Sequence, residues 1–166
     1  MSAKPWTRFA AAAALTAGLA IALPAQAEHW EMQKHWNYDK IAYLHDLPFA
    51  EKKIVLQVSQ GDKERWGLAL NNVSNLLAYW GQGKVRVVLV AYGPGLNMLL
   101  ANSPVAKRIQ SLDAEGVEFD ACHQTMLGMK QKTGKLPKLV PQAVVVPGGI
   151  VRLMQLQEDH FDYVKP

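Results

Sequence analysis

An α/β fold, with a mainly parallel sheet of about five strands and helices on both faces, is the architecture this sequence predicts. Two observations carry the prediction. Short, nearly continuous apolar runs bounded by glycine or proline recur along the chain, which is the pattern of strands buried on both faces. Between them lie segments whose apolar residues recur at spacings of three and four. Strand and helix therefore alternate, with connections too long for hairpins, and that order favours parallel strands joined by helical crossovers.

The chain opens with Lys4 and Arg8, no acid, and a small-apolar run from Phe9 to Leu23. This run is the size of a secretory h-region and short for a bilayer span. Pro24 and the small residues of Ala25-Gln26-Ala27 complete a signal peptide over residues 1–27, with cleavage after Ala27 and export to the periplasm as the expectation. No basic stop-transfer cluster follows, so no stable membrane insertion is expected after cleavage. Loss of Lys4 and Arg8 with no acid lowers the formal charge from +4 to +2. A nearly balanced surface gives no reason to expect nucleic acid as a partner.

Residues 28–52 are rich in aromatic and charged side chains (His29, Trp30, His35, Trp36, Tyr38, Tyr43) without a clean period, and read as an irregular arm lying across the domain that follows. From residue 53 to residue 166 the pattern is regular. Ile54 to Val58 is a buried strand ended by Ser59-Gln60-Gly61. Trp66, Ala69, Leu70, Val73, Leu76, Leu77 and Trp80 mark an amphipathic helix stopped by Gly81 and Gly83. Val85 to Val90 repeats the strand pattern and is broken at Gly93-Pro94-Gly95. Ser103-Pro104 reads as a helix start with proline in the first helical position, followed by Val105, Ile109 and Leu112 on one face and Gly116 as the stop.

A short strand is predicted from Val117 to Ala121, then a brief helix over about Gln124 to Lys132, then a loop through Gly134, Pro137 and Pro141. Ala143 to Val146 reads as the next strand, broken by Pro147-Gly148-Gly149. Ile150, Leu153, Met154 and Gln157 trace a last helix, and Phe161 to Val164 a closing strand. Trp66, Trp80, Met126 and Met154 are read as core residues.

In an open parallel sheet, ligands bind beyond the carboxyl ends of the strands, where loops entering helices present free backbone N–H groups. Four segments converge on that edge: Ser59-Gln60-Gly61, Gly93-Pro94-Gly95, Cys122-His123 and Pro147-Gly148. Ser59, Gln60, Gly61, Gly93, Pro94, Gly95, His123, Pro147 and Gly148 are thus candidate ligand contacts, although each glycine turn taken singly is also explained by turn geometry. Cys122 is the single cysteine and the candidate reactive residue. It has no internal disulfide partner, and a thiol before a helix sits at the positive end of the helix dipole. The alternative is a small buried hydrophobe. Neighbouring residues point apart, so His123 is not expected to form a catalytic couple with Cys122.

No phosphate-binding loop, dinucleotide fingerprint, nucleophile elbow or His-Glu-x-x-His pair occurs, which removes the usual support for nucleotide hydrolysis, dinucleotide redox chemistry and zinc proteolysis. No metal or cofactor is expected. The one metal alternative is copper held in the arm by His29, Met32 and His35.

With these segments in place, the chain from residue 53 onward resembles the DsrE/DsrF-like family, which includes small sulfur-relay proteins. The resemblance rests on the Ile54–Val58 strand entering a glycine turn, on Val87 to Tyr92 running into Gly93-Pro94-Gly95-Leu96, and on Gly116-Val117 leading through Phe119 to Cys122. It rests also on Val146-Pro147-Gly148-Gly149-Ile150 and on the ending from Leu156 to Pro166. It implies a flavodoxin-like sheet, a homo-oligomer (trimer or hexamer), a sulfur-donor or acceptor protein as partner, and Cys122 at the position that carries persulfide sulfur. The chain departs from the relay members after the cysteine, where Met126-Leu127-Gly128-Met129 is apolar in place of an Arg-Gly pair. Two functions follow as expectations: an exported sulfur carrier working through Cys122, or a non-catalytic homo-oligomeric module binding a small anion or a protein.

Overall fold

The computed structural model describes residues 42–166; the expected signal peptide and His29, Met32 and His35 lie outside the described residues. The order is β1 (Lys52–Val58), α1 (Lys63–Trp80), β2 (Val85–Ala91), a 3-10 segment (Gly93–Leu99), α2 (Ala106–Ala114), β3 (Glu118–Cys122), α3 (His123–Thr133), β4 (Ala143–Val146), α4 (Gly149–Glu158) and β5 (Asp162–Val164). All strands run parallel in the spatial order β4-β3-β2-β1-β5. The predicted fold class is therefore the observed one.

Connectivity follows from the handedness of parallel crossovers. The steps from β1 to β2, β3 and β4 all move the same way along the sheet, and right-handed crossovers then put α1, α2 and α3 on one face. Ile54, Leu56, Leu89 and Phe119 meet Leu70, Ile109 and Met126 there in the larger core. The step from β4 back to β5 crosses the whole sheet in the opposite direction. It puts α4 on the other face, where Leu153 and Leu156 pack on Val55, Val88 and Val90. Adjacent strands β3 and β4 thus send their chains to opposite faces.

Residues 42–50 lie over the α4 face, held by side chains reaching their backbone. Arg86 donates to the carbonyls of His45 (2.7 Å) and Leu47 (3.4 Å), and the Leu44 N–H donates to Glu118 (2.7 Å). Tyr43 covers the Arg86 guanidinium at 4.3 Å and donates to Asp159.

Three details differ from the sequence reading. Helix α2 starts at Ala106, because Ser103 and Pro104 form a turn in which the Ala106 N–H donates to the Ser103 carbonyl (3.1 Å). The glycines after β2 open a 3-10 segment. Met154 is 56 % exposed and outside the core. The buried side of α4 carries Arg152, Leu153, Gln155 and Leu156, since the acids Glu118 and Asp120 on β3 face the helix and draw the arginine inward.

Candidate functional site

Residues of β3 alternate between faces, with Phe119 and Ala121 toward α1–α3 and Glu118, Asp120 and Cys122 toward α4. Cys122 is the last residue of β3 and the residue from which α3 starts. Its register partner is Val146, the last residue of β4, and Pro147-Gly148 then leads into α4. Cys122 thus stands at the point where neighbouring strands diverge to opposite faces, the place where open α/β sheets hold ligands. Neither helix entered there has a side-chain N-cap. The helices α3 and α4 thus start from the ends of neighbouring strands, and first-turn N–H groups at such starts favour an anion. The thiol itself is enclosed, with Cys122 5 % exposed.

A hydrogen-bonded polar row from Tyr92 crosses the sheet edge near Cys122. Tyr92 follows β2, and burial raises its phenol above the ordinary value, helped by Tyr163 and Cys122. Gln57 on β1 donates its side-chain Nε2 to the Tyr92 oxygen at 2.6 Å and to Ser59 Oγ at 3.3 Å, while Tyr163 on β5 donates to the Gln57 side-chain Oε1. Gly149 rests on the Tyr92 ring; a Cβ there would lie 2.8 Å from Tyr92 Cβ. Only glycine lets α4 start so close to the sheet.

The candidate contacts divide into two groups. Cys122, His123, Pro147 and Gly148 meet at the divergence of β3 and β4. His123 is half-buried, and burial lowers its pKa, which favours the neutral ring. Ser59, Gln60, Gly61, Gly93, Pro94 and Gly95 gather at the ends of β1 and β2 and pack on one another. The Gly95 N–H donates to the carbonyls of Ser59 and Tyr92, both at 3.1 Å, and a Gly95 Cβ would sit 2.2 Å from the Val58 carbonyl oxygen. The Gly93 N–H donates to Thr125 Oγ1 at 2.9 Å, tying this loop to the first turn of α3. The Gln60 carbonyl accepts from the Trp66 indole at 2.8 Å. In this second group the named amides serve the protein's own packing.

The sequence reading did not single out Gln57, Tyr92, Tyr163 or Arg152. A lone glutamine inside the Ile54–Val58 run was the available signal for the first, and two acids two apart in a buried strand implied a buried cation. Arg152, 1 % exposed, supplies it: Nε donates to Asp120 Oδ2 at 2.7 Å and Nη2 to Glu118 Oε1 at 2.8 Å. Burial would lower the arginine's pKa, and the two carboxylates more than offset that. Asp120 behaves in the opposite sense, since burial drives its carboxyl well above the ordinary range against the pull of Arg152. Among the described residues no His/Cys/Asp/Glu group is arranged to hold a metal ion.

The DsrE/DsrF-like family model matches residues 52–166. A solved structure of a protein of unknown function, MTH1491 from Methanobacterium thermoautotrophicum, is similar at 28% identity and a TM-score of 0.61, covering 70% of this chain and 100% of its own. A second, BT1422 from Bacteroides thetaiotaomicron, also described as of unknown function, aligns at 15% identity and a TM-score of 0.47 over 72% of this chain and 98% of its own. No curated protein matches the chain.

Proposed function

Because this chain belongs to the DsrE/DsrF-like family, which is linked to sulfur relay, we propose that it is an exported, homo-oligomeric sulfur carrier in which Cys122 accepts sulfane sulfur. One observation carries this reading: the only thiol of the chain occupies the end of β3 where β3 and β4 part, between two helix starts without side-chain caps. A persulfide anion formed there is met by backbone N–H groups and by the positive ends of two helix dipoles. Burial lowers the His123 pKa and favours its neutral ring beside the thiol's strand end.

The transfer needs no external oxidant. The Cys122 thiolate attacks the outer sulfur of thiosulfate, the S–S bond of thiosulfate breaks, and sulfite leaves with that bond's electron pair. Cys122 is left as a persulfide anion, with sulfur count and charge balanced. A persulfide on a donor protein reacts in the same way, releasing the donor thiolate.

The test is intact mass after incubation with thiosulfate or polysulfide, comparing the parent with Cys122→Ser. Gain of one sulfur mass in the parent alone supports the reading; no thiol-dependent gain removes it. The enclosure of Cys122 favours a second reading, a binding module with the cysteine packed and inert. Native-state alkylation separates the two, because an inert cysteine reacts only after unfolding.

A further inference from the structure

We propose that Arg152 is a positioning residue for the Cys122 site, an inference that rests on the sulfur-carrier reading above. Cys122 and Asp120 lie two apart on the same face of β3, and Cys122 pairs in register with Val146. From Val146 the chain passes through Pro147, Gly148 and the first turn of α4 to Arg152, whose guanidinium returns to Asp120 at 2.7 Å. These contacts close a ring of two strand ends and one helix turn of which Cys122 is a member. The Arg152 backbone N–H donates to the Gly148 carbonyl at 2.9 Å as the first bond of α4, so the guanidinium is anchored one helical turn beyond Gly148. On the opposite wall the turn is seated on Tyr92 through Gly149, which leaves no room for a Cβ.

A buried ion group is a poor source of stability, since well-packed apolar side chains of similar volume hold a core as well or better. What the guanidinium adds is direction. Its planar fork accepts one placement between Asp120 Oδ2, Glu118 Oε1 and the Ala42 carbonyl, the last at 3.0 Å. It therefore sets the height of α4 on β3, and with it the distance from the α4 amides to whatever sulfur Cys122 carries. The titratable and charged neighbours of the ring are Glu118 and Asp120 on β3, Arg86 and Tyr92 from β2, Tyr43 over the face, and His123 at the head of α3.

The experiment compares Arg152→Met, Arg152→Lys and the triple variant Glu118→Gln/Asp120→Asn/Arg152→Met in the full chain. Thermal unfolding and the pH profile of Cys122 alkylation by iodoacetamide are read together, with thiosulfate uptake by intact mass in parallel. Removing both acids relieves the uncompensated charge, so the triple variant is expected to regain much of the stability lost in Arg152→Met. Its alkylation rate is expected to stay about tenfold or more away from the parent's, as is that of Arg152→Lys, which keeps the charge and loses the fork. Alkylation that returns to the parent's rate as stability returns, or an Arg152→Lys profile that overlays the parent's, overturns the proposal. Thiosulfate uptake reports separately: a parent that gains no sulfur while the variants still shift alkylation refutes the carrier reading and leaves the positioning role standing.

Discussion

Replacing Asp120 with asparagine probes how one guanidinium serves two buried acids. Glu118 accepts from both Arg152 and the Leu44 N–H, whereas Asp120 accepts from Arg152 alone through Oδ2, and its Oδ1 has no partner among the described residues. Burial raises the Asp120 carboxyl far above its ordinary value of 3.8, and neighbouring Glu118 adds to the rise. One guanidinium thus serves two buried carboxyls, and burial favours the protonated form of Asp120. Asparagine has the shape and charge of that protonated acid and retains an oxygen for Arg152 Nε. The expected change at about pH 4 is within about 1 kcal/mol, and at neutral pH the variant is expected to be the more stable protein, whereas loss of an ionised, paired Asp120 would cost about 3–5 kcal/mol.

The pH dependence has a definite sign. A carboxyl whose folded pKa lies above its unfolded value of 3.8 contributes stability that is complete below that value and is lost as pH rises through the folded pKa. The parent should therefore lose stability relative to Asp120→Asn as pH rises. Urea unfolding followed by circular dichroism between about pH 4 and about pH 8 measures both quantities. A loss of about 3 kcal/mol or more in the variant at neutral pH, or parallel pH profiles for the two proteins, would refute the shared-charge account.

Three further outcomes are expected. Gly95→Ala places a Cβ 2.2 Å from the Val58 carbonyl oxygen, so the loop after β2 must lift from the end of β1; a loss of about 1–3 kcal/mol or more is expected in thermal unfolding, and parental stability would contradict the packing role. Gly149→Ala, whose Cβ would meet Tyr92 at 2.8 Å, lifts the first turn of α4 and should speed Cys122 alkylation in the folded protein; an unchanged rate would show that this turn does not cover the thiol. Burial works to raise the Asp159 carboxyl, but bonds from Tyr43 and Lys53 leave it below its ordinary 3.8. Its contribution is present above 3.8 and lost as pH falls through the folded value, so Tyr43→Phe should flatten acid unfolding in that range, and an unaltered acid limb would exclude the contribution.

The elements were legible because their signals are local. Unbroken apolar runs at Ile54–Val58 and Val85–Val90 report strands whose two faces are both covered, and the three-and-four spacing from Trp66 to Leu77 reports one helix face. Helix α4 was legible as a helix but not in its orientation. Ile150 and Met154 suggest an apolar inner face, yet both point to solvent, because the buried side is chosen by Glu118 and Asp120 on a strand more than 30 residues away in sequence. Ser103-Pro104 carries a helix-start signal that a turn can use equally well.

By itself, then, the sequence determined the alternation of strand and helix, the parallel sense of the sheet and the placing of Cys122 at a strand end, all of which depend on side-chain period and connection length. Only the tertiary structure decided the order β4-β3-β2-β1-β5, the passage of α4 to the second face, the nearness of Cys122 to Tyr92 and the seating of Gly149 on Tyr92. Strand order depends on which distant edges share backbone hydrogen bonds, and a single residue's identity carries almost no information about its partner across the sheet.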